Sequence, residues 1–203
     1  MKLTYLAAIA LLALVLLSGC VSTSDYMTSA TGPAPTATSD KALVVFMRPS
    51  NYGGMVQSSV YRTEGSGNEF IGIVSANTKT AYLAEPGEHL FMVVAENADF
   101  VNATVEAGKT YYVLVSPRMG VWKARFSLLP IHNDPDAKYS LKSAEFLEWQ
   151  RDTRWVEKSP AAEAWYASHE ADISAKQADY MQKWNEASAE QQAELTVHAK
   201  DGI

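Results

Sequence analysis

Between residues 41 and 131, short apolar or alternating segments recur about every ten residues, separated by turn-forming residues and interrupted by no helix-length period. That spacing points to an all-β sandwich or small barrel, because a parallel βαβ sheet needs a helix in each crossover. Residues 42–47 are continuously apolar and the segment is closed by Arg48, Pro49 and Gly53-Gly54, so a strand covered on both faces is expected there. A weaker segment, 58–63, ends in Glu64-Gly65-Ser66-Gly67-Asn68, read as a hairpin turn because no helix follows to bind phosphate. Segments 70–74 and 79–84 follow, the second closed by Pro86-Gly87, and 89–95 is strongly β-like. Val101, Ala103, Val105 and Ala107 alternate with Asn102, Thr104 and Glu106, the pattern of a strand with one wet face. After the turn at Gly108-Lys109 comes the aromatic and β-branched run 111–115. Trp122, Ala124, Phe126 and Leu128 then alternate with Lys123, Arg125 and Ser127 in the cleanest period of two in the chain. The fold class expected is α+β: an antiparallel β-sandwich of about eight strands over 41–131, followed by C-terminal helices over 132–203.

The pattern changes after Pro130. Residues 143–157 read as a helix with Ser143 as its cap and Phe146, Trp149 and Val156 on one side. A second helix is expected from Ser159-Pro160, with serine as cap and proline at the first position, running to about residue 200. Trp165, Tyr166, Ile173, Tyr180 and Trp184 recur at helical intervals along it. Forty helical residues would span about 60 Å, longer than a sandwich with strands near 20 Å. The helix must therefore bend back, or its far half must pack elsewhere. Its stripe has two readings: packing on the sandwich, or a surface for a partner protein. Those five residues are the candidate partner-binding set.

At the other end, residues 3–17 are almost continuously apolar behind Lys2, about the length of a signal-peptide core and short for a membrane-spanning helix. Leu17-Ser18-Gly19-Cys20 resembles the lipobox of bacterial lipoproteins at every position, and Cys20 is the one cysteine of the chain. The resemblance implies removal of residues 1–19 and lipidation of Cys20, by a diacyl group on its sulfur and a further acyl group on the new amine. Two or three acyl chains anchor stably where one is marginal. Val21 in place of the aspartate that favours inner-membrane retention points to the outer membrane and its periplasmic face. Residues 21–40 are rich in Ser, Thr, Ala and Pro, and read as a flexible tether reaching about 25 Å. Tyr26 and Met27 are its only large apolar residues, and no role is assigned to them. The domain division expected is thus 1–19 signal peptide, 20–40 lipidated linker, 41–131 sandwich and 132–203 helical extension.

Residues 42–48, Phe70-Ile71-Gly72, Pro86-Gly87-Glu88-His89 and Gly108-Lys109-Thr110-Tyr111-Tyr112-Val113 stand in an order that resembles an uncharacterised family of small bacterial lipoproteins. The same pieces are similar to PEGA-like surface modules. That resemblance covers about half of the chain and implies a compact sandwich with no catalytic residues to carry over.

The net charge is −6, and loss of Lys2 with the leader leaves −7, so nucleic acid is not an expected partner. One cysteine rules out disulfides within the chain and thiolate zinc sites. His89, His132, His169 and His198 do not stand at metal-ligand spacing, and His132 near Asp134 and Asp136 reads as a polar turn. Glu145, Glu148 and Asp152 read as a solvated helix face rather than a glycosidase pair. Arg48, Arg62, Arg118 and Arg125 are scattered at strand ends. Tyr82, Tyr111, Tyr112 and Trp122 are candidates for an aromatic sugar-binding face, although strands carry aromatics for packing alone. No catalytic residue, metal or cofactor is expected. The expected function is a non-enzymatic, membrane-anchored envelope lipoprotein that binds another protein in an accessory or assembly role. The alternative is a glycan- or peptidoglycan-binding module.

Overall fold

The computed structural model describes residues 24–54, 56–64, 67–118 and 125–203. The leader, Cys20, the turn residues Gly65-Ser66 and the stretch Trp122-Lys123-Ala124 lie outside the described residues. In chain order the elements are β1 (Met27–Ser29), β2 (Ala42–Arg48), β3 (Ser58–Glu64), β4 (Gly67–Val74), β5 (Thr78–Ala84), β6 (Gly87–Val94), β7 (Ala98–Val105), β8 (Thr110–Arg118) and β9 (Arg125–Ile131). Then follow α1 (Ala144–Asp152), β10 (Arg154–Lys158), α2 (Ala162–Glu186), α3 (Ala189–Glu194), β11 (Thr196–Val197) and a 3-10 turn at Ala199–Asp201.

β2 is buried at every position, as its unbroken apolarity requires. Its alternate residues Ala42, Val44 and Phe46 enter the core between two sheets, with Phe91, Val101, Tyr111, Val113 and Leu128. Met47 enters a second cluster, with Leu114, Ile131 and Phe146 of α1. The first sheet has the order β1-β10-β5-β2-β8-β9 and the second β11-β7-β6-β3-β4. α2 covers the outer face of the second sheet, where Tyr61, Phe70, Met92 and Phe100 meet Ile173. The layers are therefore helix, sheet, sheet, helix.

The chain is mostly β with helices in its C-terminal third, and two stacked sheets fit the sandwich expected. The described residues hold eleven strands rather than about eight. The sheets are mixed, not antiparallel throughout: β2 with β8, β5 with β10 and β7 with β11 all run parallel. The extra strands come from the segments read as tether and helical extension. β1 lies in the expected tether and pairs antiparallel with β10. Met27 is buried, its sulfur accepts from the N–H of Ile73 at 3.3 Å, and its methyl lies where a Cβ on Gly72 would come within 2.9 Å. A thioether fits that gap because its unbranched chain follows an irregular space.

The helix expected over 143–157 ends at Asp152. Ser143 caps it as expected, accepting from the N–H of Phe146. Thr153 then turns its hydroxyl onto the Trp149 carbonyl at 2.6 Å and satisfies an end that would otherwise propagate. The alternating residues of Arg154–Lys158 leave as a strand. The second helix begins at Ala162, not at Ser159-Pro160; Ser159 instead donates its hydroxyl to the Asp25 carbonyl and its N–H to that of Tyr26. Its 25 residues span about 38 Å, close to the breadth of the sheet it covers. It stops where Gln192 donates to the Trp184 carbonyl and a Ser188–Gln191 capping box opens α3, so the expected forty-residue helix bends back.

Candidate binding site

The five residues singled out on the helical stripe are brought together on one face of α2, and that face is occupied by the protein's own second sheet. Ile173 is buried, while Trp165, Tyr166, Tyr180 and Trp184 are half-buried against the same cluster. Trp165 packs on Tyr26 and Phe70 with ring centroids 5.5 Å from each, Tyr166 stacks on Phe70 at 5.4 Å, and Trp184 tilts against Phe100 at 5.8 Å. The Tyr166 hydroxyl donates to the Asn68 carbonyl at 2.8 Å, and Lys176 donates to that of Ala95 at 2.9 Å. The stripe is thus an internal seam, pinned by Tyr166 near its start and by Lys176 past its middle.

The predicted aromatic sugar-binding face does not form from the described members of its set. Tyr111 points into the sandwich core, and its neighbour Tyr112 points the opposite way, under Phe146. Tyr82 packs edge-on to Phe91 and donates to Glu69 at 2.8 Å. Burial pushes its phenol up to about 12, helped by the Glu69 carboxylate. A different aromatic groove of about 460 Å3 lies between α1 and β8, where Tyr52, Tyr139 and Trp149 stand beside Ser50, Ser116 and Glu145.

A slot opens where two strands of the first sheet diverge. β10 pairs with β5 only at Arg154↔Thr78 and Trp155↔Lys79. Its remaining residues pair with β1 on the other side. Between them and residues 80–83 lies a space of about 420 Å3, floored by Phe70 and Ile71 of the second sheet and flanked by Trp155 and Leu83. Residues 30–35 cross it as a strap containing Pro33 and Pro35. Leu83 is 42% exposed, large for an apolar residue in a strand. Sequence reasoning missed this slot because β10 was read as helix.

His132 does not meet Asp134 or Asp136. Its Nδ1 donates to Asp201 at 2.9 Å, and its ring stacks on His198 with centroids 6.1 Å apart. Asp201 is buried and also accepts from the backbone N–H groups of Asn133 and His198. Burial pushes its carboxyl up, but the hydrogen bonds from His132, His198 and Asn133 together outweigh burial and hold it below the usual range. This carboxylate fastens the end of the chain. Beside it, Ile203 and Thr110 exchange two backbone hydrogen bonds, and Gly202 lies where a Cβ would meet the Tyr111 ring at 2.6 Å. A group with a depressed folded pKa stabilises above its unfolded value, near 3.8, and loses that contribution as pH falls through the folded value. Protection of the Ile203 amide from exchange, relative to its intrinsic rate at each pH, is therefore expected to fall below pH 4 before that of the sandwich core. Protection at Ile203 that keeps pace with the core at every pH would contradict this role.

Among the described residues no group of three or more His, Cys, Asp or Glu is placed to hold a metal ion, and no helix is long and apolar enough to cross a membrane. Glu145, Glu148 and Asp152 are exposed on α1. No family model matches the chain, and no curated protein matches it significantly.

Proposed function

We propose that this chain is a lipid-anchored envelope protein without catalytic function, which binds another protein while held against the membrane. The observation that carries the reading is how soon the fold begins after Cys20. Ser24 is already buried and donates to Gln57, and the strand at Met27–Ser29 follows directly. Four peptide steps from Cys20 to Ser24 span at most about 14 Å, against the 25 Å expected of a free tether. A body so close to its anchor suits contact with a membrane-bound partner. Lipidation of Cys20 follows from the lipobox resemblance, and Val21 favours the outer membrane and its periplasmic face. A binding role is supported by the open slot, and a non-catalytic one by the use of His132 and Asp201 in holding the chain end.

Anchoring is tested with Cys20→Ser. The native chain is expected to take up labelled palmitate and to sediment with membranes, and the variant to do neither. A variant that sediments as the native chain does would overturn the anchor.

The glycan reading is favoured by one observation, the groove of Tyr52, Tyr139 and Trp149 beside Glu145. Such rings stack on sugars while the carboxylate accepts hydroxyls. Native protein that pellets with purified cell wall, and a Trp149→Ala variant that does not, would move the function to that groove.

A further inference from the structure

We infer that the slot between β5 and β10 takes an extended polypeptide segment of the partner, which adds as a strand to the open edge of β5. This rests on the protein-binding reading above and specifies the form of that partner.

Alternation along the ladder decides which backbone groups face the slot. The N–H of Leu43 donates to Lys109 beside β8, so the intervening residues Val44 and Phe46 face β5, where their register partners are Tyr82 and Thr80. Ala81 and Leu83 therefore turn their N–H and C=O groups away from β2 and into the slot. The donation from Arg154 N–H to the Asn77 carbonyl fixes the same parity at the closed end. On the opposite wall, Trp155 accepts from Ala30 and Ser159 donates to Tyr26, so these positions face β1. Lys158 and the Val156 carbonyl face the slot. Two rows of backbone donors and acceptors thus confront each other across one gap. A peptide backbone carries alternating donors and acceptors that answer such rows, whereas an acyl chain or a sugar ring does not.

Among the described residues, the strap makes no backbone hydrogen bond to residues 80–83. Pro33 and Pro35 stand two apart, on one edge of an extended chain, and neither has an N–H. The side-chain surroundings specify the occupant further. One face of an entering strand would meet Phe70 and Ile71, and the other Leu83 and Trp155, so apolar residues are wanted at alternate positions. Lys158 pairs with Glu163, and Arg62 with Glu69, while Glu157 at the mouth carries no ion pair among the described residues. A lysine or arginine on the occupant would complete it.

The test uses the isotope-labelled mature chain and a set of eight-residue peptides alternating Val or Ile with Thr, with one Lys placed at each position in turn. Each peptide has a twin N-methylated at every second amide. At least one unmethylated peptide is expected to slow exchange of the Ala81 and Leu83 amides tenfold or more, and its twin to bind at least tenfold more weakly. Leu83→Pro removes a donor that faces the slot and none that faces β2, so binding should fall tenfold or more with the unfolding midpoint kept. Should that variant not fold, Glu157→Lys serves in its place: it leaves the ladders intact and should weaken Lys-bearing peptides by a similar factor. The inference is overturned if no peptide protects these amides, if methylated twins bind equally, or if only a peptidoglycan fragment or palmitate perturbs Leu83 and Trp155. Photo-crosslinking in the native envelope separates the two levels. An adduct from Tyr52 or Leu147 with none from Leu83 keeps the protein-binding reading and overturns the slot. An adduct from Leu83 supports both.

Discussion

Replacing Arg48 with methionine is expected to destabilise the fold by about 3–4 kcal/mol, from lost charge-assisted hydrogen bonds and stranded carbonyls. The guanidinium is fully buried, with no carboxylate paired to it among the described residues. It donates instead to four backbone carbonyls: Val56 at 2.7 Å and Val74 at 3.3 Å from one nitrogen, Gly53 at 2.7 Å and Tyr52 at 3.2 Å from the other. It also lies 4.5 Å from the centroid of the Phe126 ring. Burial draws its pKa down to about 10, so the group is still charged at neutral pH. The loop that follows β2 is therefore gathered around a cation, in the way a metal gathers carbonyl oxygens. Methionine fills much of the volume and answers none of the acceptors. Arg48→Lys should recover less than half of the loss, because one ammonium cannot reach both pairs of carbonyls. Urea unfolding of the three chains measures this directly. A loss below about 1 kcal/mol for the methionine variant would mean that water takes over the carbonyls.

Met27→Ala is expected to lower stability by about 2–4 kcal/mol, the range for emptying a buried methionine site. The side chain fills the gap over Gly72, and its removal also weakens the pairing of β1 with β10. This variant has a second expected effect that a core substitution elsewhere lacks. Once β1 detaches, the chain from Cys20 to Lys41 is a free coil of about twenty residues, with a reach near 25 Å. If Cys20 carries the proposed lipid, energy transfer between a dye on the body and labelled lipid should then fall. Unchanged transfer, with the expected loss of stability, would mean that other contacts hold the body at the surface.

The strongest sequence signals were those that a single segment carries by itself. The continuous apolarity of β2 identified a strand covered on both sides, and the alternation of residues 101–107 put Asn102 and Thr104 on the wetter face of β7. The turn at Pro86-Gly87 contains a glycine at φ 131°, which a side chain rarely allows. The stripe on α2 was legible, and packing on the sandwich was one of its two readings, but which sheet face it covers was not stated. A clue lay in residues 90–94, Leu-Phe-Met-Val-Val, which are apolar on both faces of β6 and so need a cover. The aromatic helix supplies it. β10 was hidden because five residues following a helix, without an interruption by Gly or Pro, do not set a period of their own. β1 is three residues long and carries one buried side chain. Arg48 read as a charge at a strand end, since nothing local reveals that four carbonyls converge on it. His132 and Asp201 lie 69 positions apart, and only the fold brings them together.

The outermost strands at one side of each sheet are drawn from opposite ends of the polypeptide. Met27 pairs with Lys158, about 130 positions away, and Thr196 pairs with Asn102 beside the fastening of Ile203 to Thr110. The first sheet cannot be completed before Lys158 is present, nor the second before Val197. The loops to be closed are long, and their contacts reward the closure only at the end. Each sheet therefore gains an outer strand late, after the ladders between segments that lie close in sequence.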